Sequence, residues 1–166
     1  MLKVKIICLI FLTPILGVCQ KSFNSPDYSF KSPSDFTFSR DNFIDGFVDI
    51  LTVIDDDSTE NVKYLIYLHK INIGSKIDAS YLVENPTQYT SDLNCTVLTS
   101  KGVSYNGYDG LELEVKFDNS DEVVGYVFMT AYNSTLRRII FMVPNEEYYE
   151  KYFSDIQSTL NNLELK

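Results

Sequence analysis

The 166-residue chain has no tryptophan and a single histidine. That one histidine, His69, confines any Ser-His-Asp or Cys-His chemistry to a constellation built around it. It lies among Leu68, Lys70 and Ile71 in a strand-like run, and no nucleophile-elbow motif occurs anywhere. His69 is therefore expected to be structural or on the surface. No motif for catalysis, cofactor binding or nucleic-acid recognition is present, so no enzyme activity and no cofactor are expected.

Cysteine is scarce as well: Cys8, Cys19 and Cys95. The first two fall in a leader described below, which leaves Cys95 and no internal disulfide in the remainder. A lone cysteine opening a predicted strand is read as a small buried apolar residue rather than a nucleophile. Basic residues are outnumbered, 14 Lys and Arg against 23 Asp and Glu, for a net charge of -9. Such an acidic chain repels phosphate backbones and anionic membrane surfaces, so nucleic acid is not an expected partner.

What is present begins with an export signal. Lys3 and Lys5 precede an apolar core over Ile6 to Leu12, and Ile15-Leu16-Gly17-Val18-Cys19 leads to small-residue cleavage before Gln20. The apolar stretch is shorter than the roughly 20 residues that span a bilayer, so no stable membrane insertion is expected. Residues 1–19 are read as a signal peptide and 20–166 as one exported domain, periplasmic or extracellular. Leu16-Gly17-Val18-Cys19 also resembles a lipobox, which makes lipid anchoring through Cys19 the alternative. Removing the leader takes two lysines and no acid, so the net charge becomes -11.

Residues 20–26 read as a short polar leader to the domain. Tyr28 to Phe30, Phe36 to Phe38, Phe47 to Ile54 and Val62 to Ile71 read as strands, the last apolar on both faces and so covered on both. Asp78 caps a helical segment that Pro86 kinks or splits between about residues 78 and 93, with Ile77 and Leu82 placed as a hydrophobic staple. Four further strands follow, over Thr96–Tyr105, Leu111–Phe117, Val123–Tyr132 and Leu136–Val143. Asn106-Gly107 is a strong hairpin signal between the first two, and Asn133-Ser134 turns the chain between the last two. Asn145 caps a second helix, whose Tyr149, Tyr152, Phe153, Ile156 and Leu160 form one stripe of core spacing. Residues 162–166 add a short edge strand.

Three segments resemble the PsbP-like superfamily of small exported proteins: Tyr28-Ser29-Phe30-Lys31-Ser32-Pro33, Asn106-Gly107-Tyr108-Asp109-Gly110-Leu111-Glu112-Leu113, and Arg138-Ile139-Ile140-Phe141 running into Tyr149 to Leu160. Phe36 stands where that family usually carries a tryptophan soon after the first proline. The resemblance implies an α+β fold, a central antiparallel sheet with helices packed on it. It implies no enzyme activity, because such proteins mostly bind and stabilise other proteins.

The remaining candidates are carboxylates. Asp55-Asp56-Asp57 with Glu60, and Asp118, Asp121 and Glu122, are acidic turns that together offer oxygens to a hard cation, but without EF-hand spacing. They are read as solvated turns, and no metal site is expected. Glu112 and Glu114 lie about 7 Å apart on one strand face, a spacing open to glycoside chemistry. Alternation with Leu111, Leu113 and Val115 favours a face turned to water or to a partner. The sequons at Asn94 and Asn133 carry weight only in a eukaryotic host. The leading expectation is an exported, non-enzymatic accessory domain that binds a protein. The alternative is a small-ligand or cation carrier using a groove between sheet and helix, lined by exposed Tyr105, Tyr108, Tyr148 and Tyr149.

Overall fold

Tight polar turns between β-branched and aromatic runs force consecutive strands to lie antiparallel, and the sheet is assembled from two such meanders. The computed structural model describes residues 20–43, 46–55, 58–73, 77–118, 124–144 and 146–166. The signal peptide read over residues 1–19 and the Asn145 cap lie outside the described residues.

The first meander is β3 (Phe36–Phe43), β4 (Gly46–Asp55) and β5 (Ser58–Asn72). The second is β6 (Cys95–Tyr105), β7 (Tyr108–Phe117), β8 (Val124–Tyr132) and β9 (Thr135–Val143). Antiparallel pairing of β5 with β9 joins them into a seven-stranded sheet of order β3-β4-β5-β9-β8-β7-β6. Between the meanders run α1 (Ala79–Glu84) and one turn of 3-10 helix (Ser91–Leu93). A three-stranded sheet of β1 (Lys21–Asn24), β2 (Tyr28–Ser32) and β10 (Glu164–Leu165) stands apart, with α2 (Glu146–Asn161) leading into β10.

The hairpin turns are where the sequence places them. Asn106 and Gly107 have φ of 48° and 82°, and Asn133 and Ser134 have φ of 48° and 59°. Paired positive φ values match the twist of the flanking strands, which is why Asn and Gly occupy such turns. Asp78 caps α1 by accepting from Tyr81 N at 2.9 Å. The segment after it is split: α1 ends at Asn85, whose N–H donates to Tyr81 O, and Pro86 precludes its continuation. Asn85 is thus the end cap of α1.

The two faces of the large sheet are buried against different elements. On one, Leu51, Tyr64, Ile66, Tyr126, Phe128 and Phe141 pack with Tyr152, Ile156 and Leu160 of α2 and with Phe23, Tyr28 and Phe30 of the small sheet. On the other, Leu111, Leu113, Val127, Met129 and Ile140 pack with Leu82 of α1. Each such side chain taken from water contributes about 1.5–3 kcal/mol. The β5 expectation holds for Tyr64, Ile66 and Leu68, which are buried, while Val62 near its start is 44% exposed.

Two expectations need correction. Residues 21–24 are strand β1, because Phe23 turns inward against Phe30 at 5.1 Å. The α+β expectation stands in its antiparallel sheet, but sheet outweighs helix and a second small sheet shares one face with α2.

Candidate functional site

Among the described residues, three polar constellations and a groove at α1 are considered as candidates for function. The first lies under α2. Strand alternation puts Glu112 and Glu114 of β7 on the α2 face, and Glu112 is only 3% exposed, so the expected solvated face is covered there. Tyr105 Oη donates to Glu112 Oε2 at 2.6 Å and stands 2.6 Å from Tyr126 Oη. Gln157 Nε2 of α2 donates to both hydroxyls at 3.0 Å. Lys101 Nζ pairs with Glu112 Oε1 at 2.7 Å, and Tyr149 Oη donates to Glu114 Oε1 at 3.2 Å. Burial, and then the nearby carboxylates, push the Tyr126 and Tyr149 hydroxyls well above the usual tyrosine range. They stay protonated and act as donors.

Three of the four tyrosines expected to line a carrier groove are packed within the fold. Tyr105 is buried, and Tyr149 is half-buried beside Glu114. Tyr108 stacks edge-on against Tyr132 at 5.7 Å while its hydroxyl accepts from Leu165 N. The side chain of Tyr148 lies outside the described residues. Both carboxylates are engaged within the fold, Glu112 by Tyr105 and Lys101 and Glu114 by Tyr149.

The second and third constellations come from one dipeptide. Arg137 and Arg138 are adjacent on β9 and therefore emerge on opposite faces of the sheet. Arg137, 1% exposed, faces the small sheet. Its Nη1 is 3.4 Å from Asp27 Oδ1, its Nη2 donates to Lys166 O at 3.0 Å, and its guanidinium lies 5.1 Å from the Tyr28 ring. Lys70 Nζ also reaches Asp27 Oδ1, at 2.5 Å. Further along that face Arg40 grips the buried Asp49 through two hydrogen bonds, one of 2.7 Å from Nη2.

Arg138, 2% exposed, faces the 3-10 turn. It forms a fork on Asp92, 2.7 Å from each carboxylate oxygen, and donates to Tyr89 O at 2.9 Å and to His69 Nδ1 at 2.8 Å. An arginine only donates, so His69 accepts at Nδ1 and carries its proton on Nε2. Burial first, and then the Arg138 charge, push His69 down to about 4. The Arg138 hydrogen bonds hold Asp92 below the usual carboxylate range. His69 is thus a neutral acceptor, and among the described residues no nucleophile is bonded to it. Cys95 is half-buried against the apolar cluster of Leu111, Leu113 and Ile140, and burial raises its thiol above the ordinary range.

The side chains of Asp55, Asp56, Asp57, Glu60, Asp121 and Glu122 lie outside the described residues. Asp118 accepts from Thr96 Oγ1 at 3.1 Å. Among the described residues no group of three or more His, Cys, Asp or Glu is arranged to hold a metal ion.

The groove lies elsewhere, between α1 and the β6–β7 edge. It is an open depression of about 510 Å³, with Ala79, Val83 and Glu84 on one wall and Gly102, Ser104 and Asp109 on the other. The sequence reading missed Asp92, both arginines and this groove. The visible signal for the arginines was Thr135-Leu136-Arg137-Arg138-Ile139-Ile140, charges inside a run otherwise apolar enough to be central.

No protein-family profile and no curated protein matches the sequence. Among solved structures, the fold is similar to the solution structure of cyanobacterial PsbP (CyanoP) from Synechocystis sp. PCC 6803. The TM-score is 0.63 at 12% identity, over 92% of this chain and 96% of that one. A protein from Bacteroides thetaiotaomicron VPI-5482 aligns with a TM-score of 0.44 at 13% identity, over 88% of this chain and 48% of that one. The first likeness establishes a PsbP-like fold, and at that identity it is a statement about fold alone. No helix among the described residues is long and apolar enough to cross a membrane.

Proposed function

We propose that this chain is an exported, non-enzymatic accessory domain that acts by offering a surface to a protein partner, in the periplasm or outside the cell. One observation carries the reading. The groups that chemistry would need are engaged inside the fold: His69 Nδ1 with Arg138, and Glu112 with Tyr105 and Lys101. A general base must be free to reach a substrate proton, and a nucleophile needs such a base beside it. The export signal and the PsbP-like fold support the same reading by analogy, since a fold hosts many functions. Anchoring through a lipidated Cys19 is compatible with it.

The test is an activity survey on the purified protein with ester, peptide and glycoside substrates, each repeated on His69→Ala. The expected result is no turnover by either. A hydrolysis lost in His69→Ala while the thermal melt is unchanged overturns the reading.

A second reading, a carrier for a small ligand or cation, is supported by the groove at α1, where Glu84 and Asp109 supply carboxylates beside Val83 and Gly102. Its site differs from the tyrosine-lined groove expected from sequence.

A further inference from the structure

Strand β6 is an outer strand of the large sheet, and among the described residues its partner there is β7 alone. An edge strand presents unpaired N–H and C=O groups, which proteins commonly blunt with proline, bulges or outward lysines. Those protections are thin here. Residues 95–105 contain no proline, and the register shift lies near one end, between Val97 and Thr99. From Thr99 to Tyr105 the register with β7 is unbroken. The one charge in that stretch, Lys101, is turned onto Glu112 at 2.7 Å. Ser100, Gly102 and Ser104 leave this edge exposed and without bulk.

The groove runs beside that edge. Val83 of α1 is 41% exposed and gives it an apolar patch. A Cβ added at Gly102 would lie 3.3 Å from Val83 Cγ2, so a larger residue there would crowd the wall. Glu84 and Asp109 are both exposed, and neither pairs with a described basic side chain. The lining holds two carboxylates and no cation.

We infer that Thr99–Tyr105 of β6, with the groove against α1, binds an extended basic segment of a partner protein as an added strand. This rests on the accessory reading above and names the kind of partner it implies. In strand addition the main chain supplies affinity, and pockets for alternate side chains supply specificity. Successive side chains of a strand face opposite ways, so residues two apart both address the groove. A small apolar residue there covers Val83, and a lysine or arginine meets Glu84 or Asp109. An acidic segment is repelled by the same two carboxylates. A second copy of this chain is disfavoured too, since symmetric pairing of β6 edges would bring these acids and the net negative charge together.

The test uses the full chain and a ten-residue peptide alternating Lys and Val, with one alternating Glu and Val as its counterpart. Amide exchange by NMR and affinity by titration are read at low and high salt. The expected result is slowed exchange at residues 99–105 with the Lys peptide alone, weakening as salt rises. Glu84→Lys with Asp109→Lys, both on exposed positions, is expected to weaken the Lys peptide by about tenfold or more, because two attractions become repulsions. Equal binding of both peptides, or protection confined to β3, overturns the inference. Protection of β6 that grows with protein concentration and needs no peptide also overturns it, in favour of a second copy. A host partner captured equally by the wild type and the double variant overturns this inference while leaving the accessory reading intact.

Discussion

Arg138 on β9 and His69 on β5 face each other across a strand pair and share a 2.8 Å hydrogen bond in which the guanidinium donates to the imidazole Nδ1. The bond requires His69 to be neutral. Protonating it would remove the acceptor and set two cations together. His69 is held at about 4 in the fold against an ordinary value near 6.5. A group with a depressed value contributes stability that is present above its unfolded value and is lost as pH falls through its folded one.

Unfolding by urea is therefore expected to show full stability above pH 6.5 and a loss of about 2–3 kcal/mol between pH 6.5 and 4 from this residue. His69→Gln, which keeps an acceptor but does not titrate, is expected to flatten the curve across that window. An unchanged slope in His69→Gln would place the acid sensitivity elsewhere.

Glu112 holds the polar cluster under α2. Glu112→Ala leaves Lys101 to solvent and removes an acceptor from buried Tyr105. The expected loss is about 2–3 kcal/mol, for a buried hydrogen bond to a charged group. Glu112→Gln keeps the acceptor oxygen and is expected to cost less. Urea midpoints of the two variants decide the order.

Arg137 ties the chain end to the large sheet through Lys166 O and Asp27. Arg137→Ala removes the donor to Lys166 O and one of the two cations on Asp27, Lys70 keeping the other. The expected loss is about 1.5–3 kcal/mol, that of hydrogen bonds from a charged group. Early hydrogen exchange at Glu164 and Leu165 is expected in that variant, because β10 loses its tether. Exchange there no faster than in the wild type would show that the small sheet holds itself.

Gly110 faces β8 so closely that a Cβ would lie 2.2 Å from Met129 O. Backbone is the obstacle, and strands β7 and β8 would have to part. Gly110→Ala is expected to cost about 3 kcal/mol or more, at the upper end of overpacking. Gly107→Ala is expected to cost less, since no atom lies within 4 Å and only the φ of 82° is strained. Thermal melts of the pair check the contrast.

Local chemistry made much of the fold legible. Asn106-Gly107 and Asn133-Ser134 announce positive φ, and the Tyr152, Ile156, Leu160 spacing announces the buried face of α2. Strand β1 was not legible because Lys-Ser-Phe-Asn holds one apolar residue, and its partners lie in β2. Glu112 was misread for a different reason. Alternation tells which residues share a face, but whether that face is covered depends on where α2 lands, some 40 residues later. The His69–Arg138–Asp92 cluster depends on pairing β5 with β9 and on the 3-10 turn, neither of which is encoded locally. The groove at α1 has no motif of its own.

The central claim is that the protein works by binding another protein. Native mass spectrometry on the tagged protein, purified gently from the envelope of its own host, tests it most directly. The account predicts a reproducible heavier species that resolves on denaturation into this chain and a protein partner. A bare mass of this chain carrying only a small adduct, released by denaturation or chelator, would contradict the account and favour the carrier.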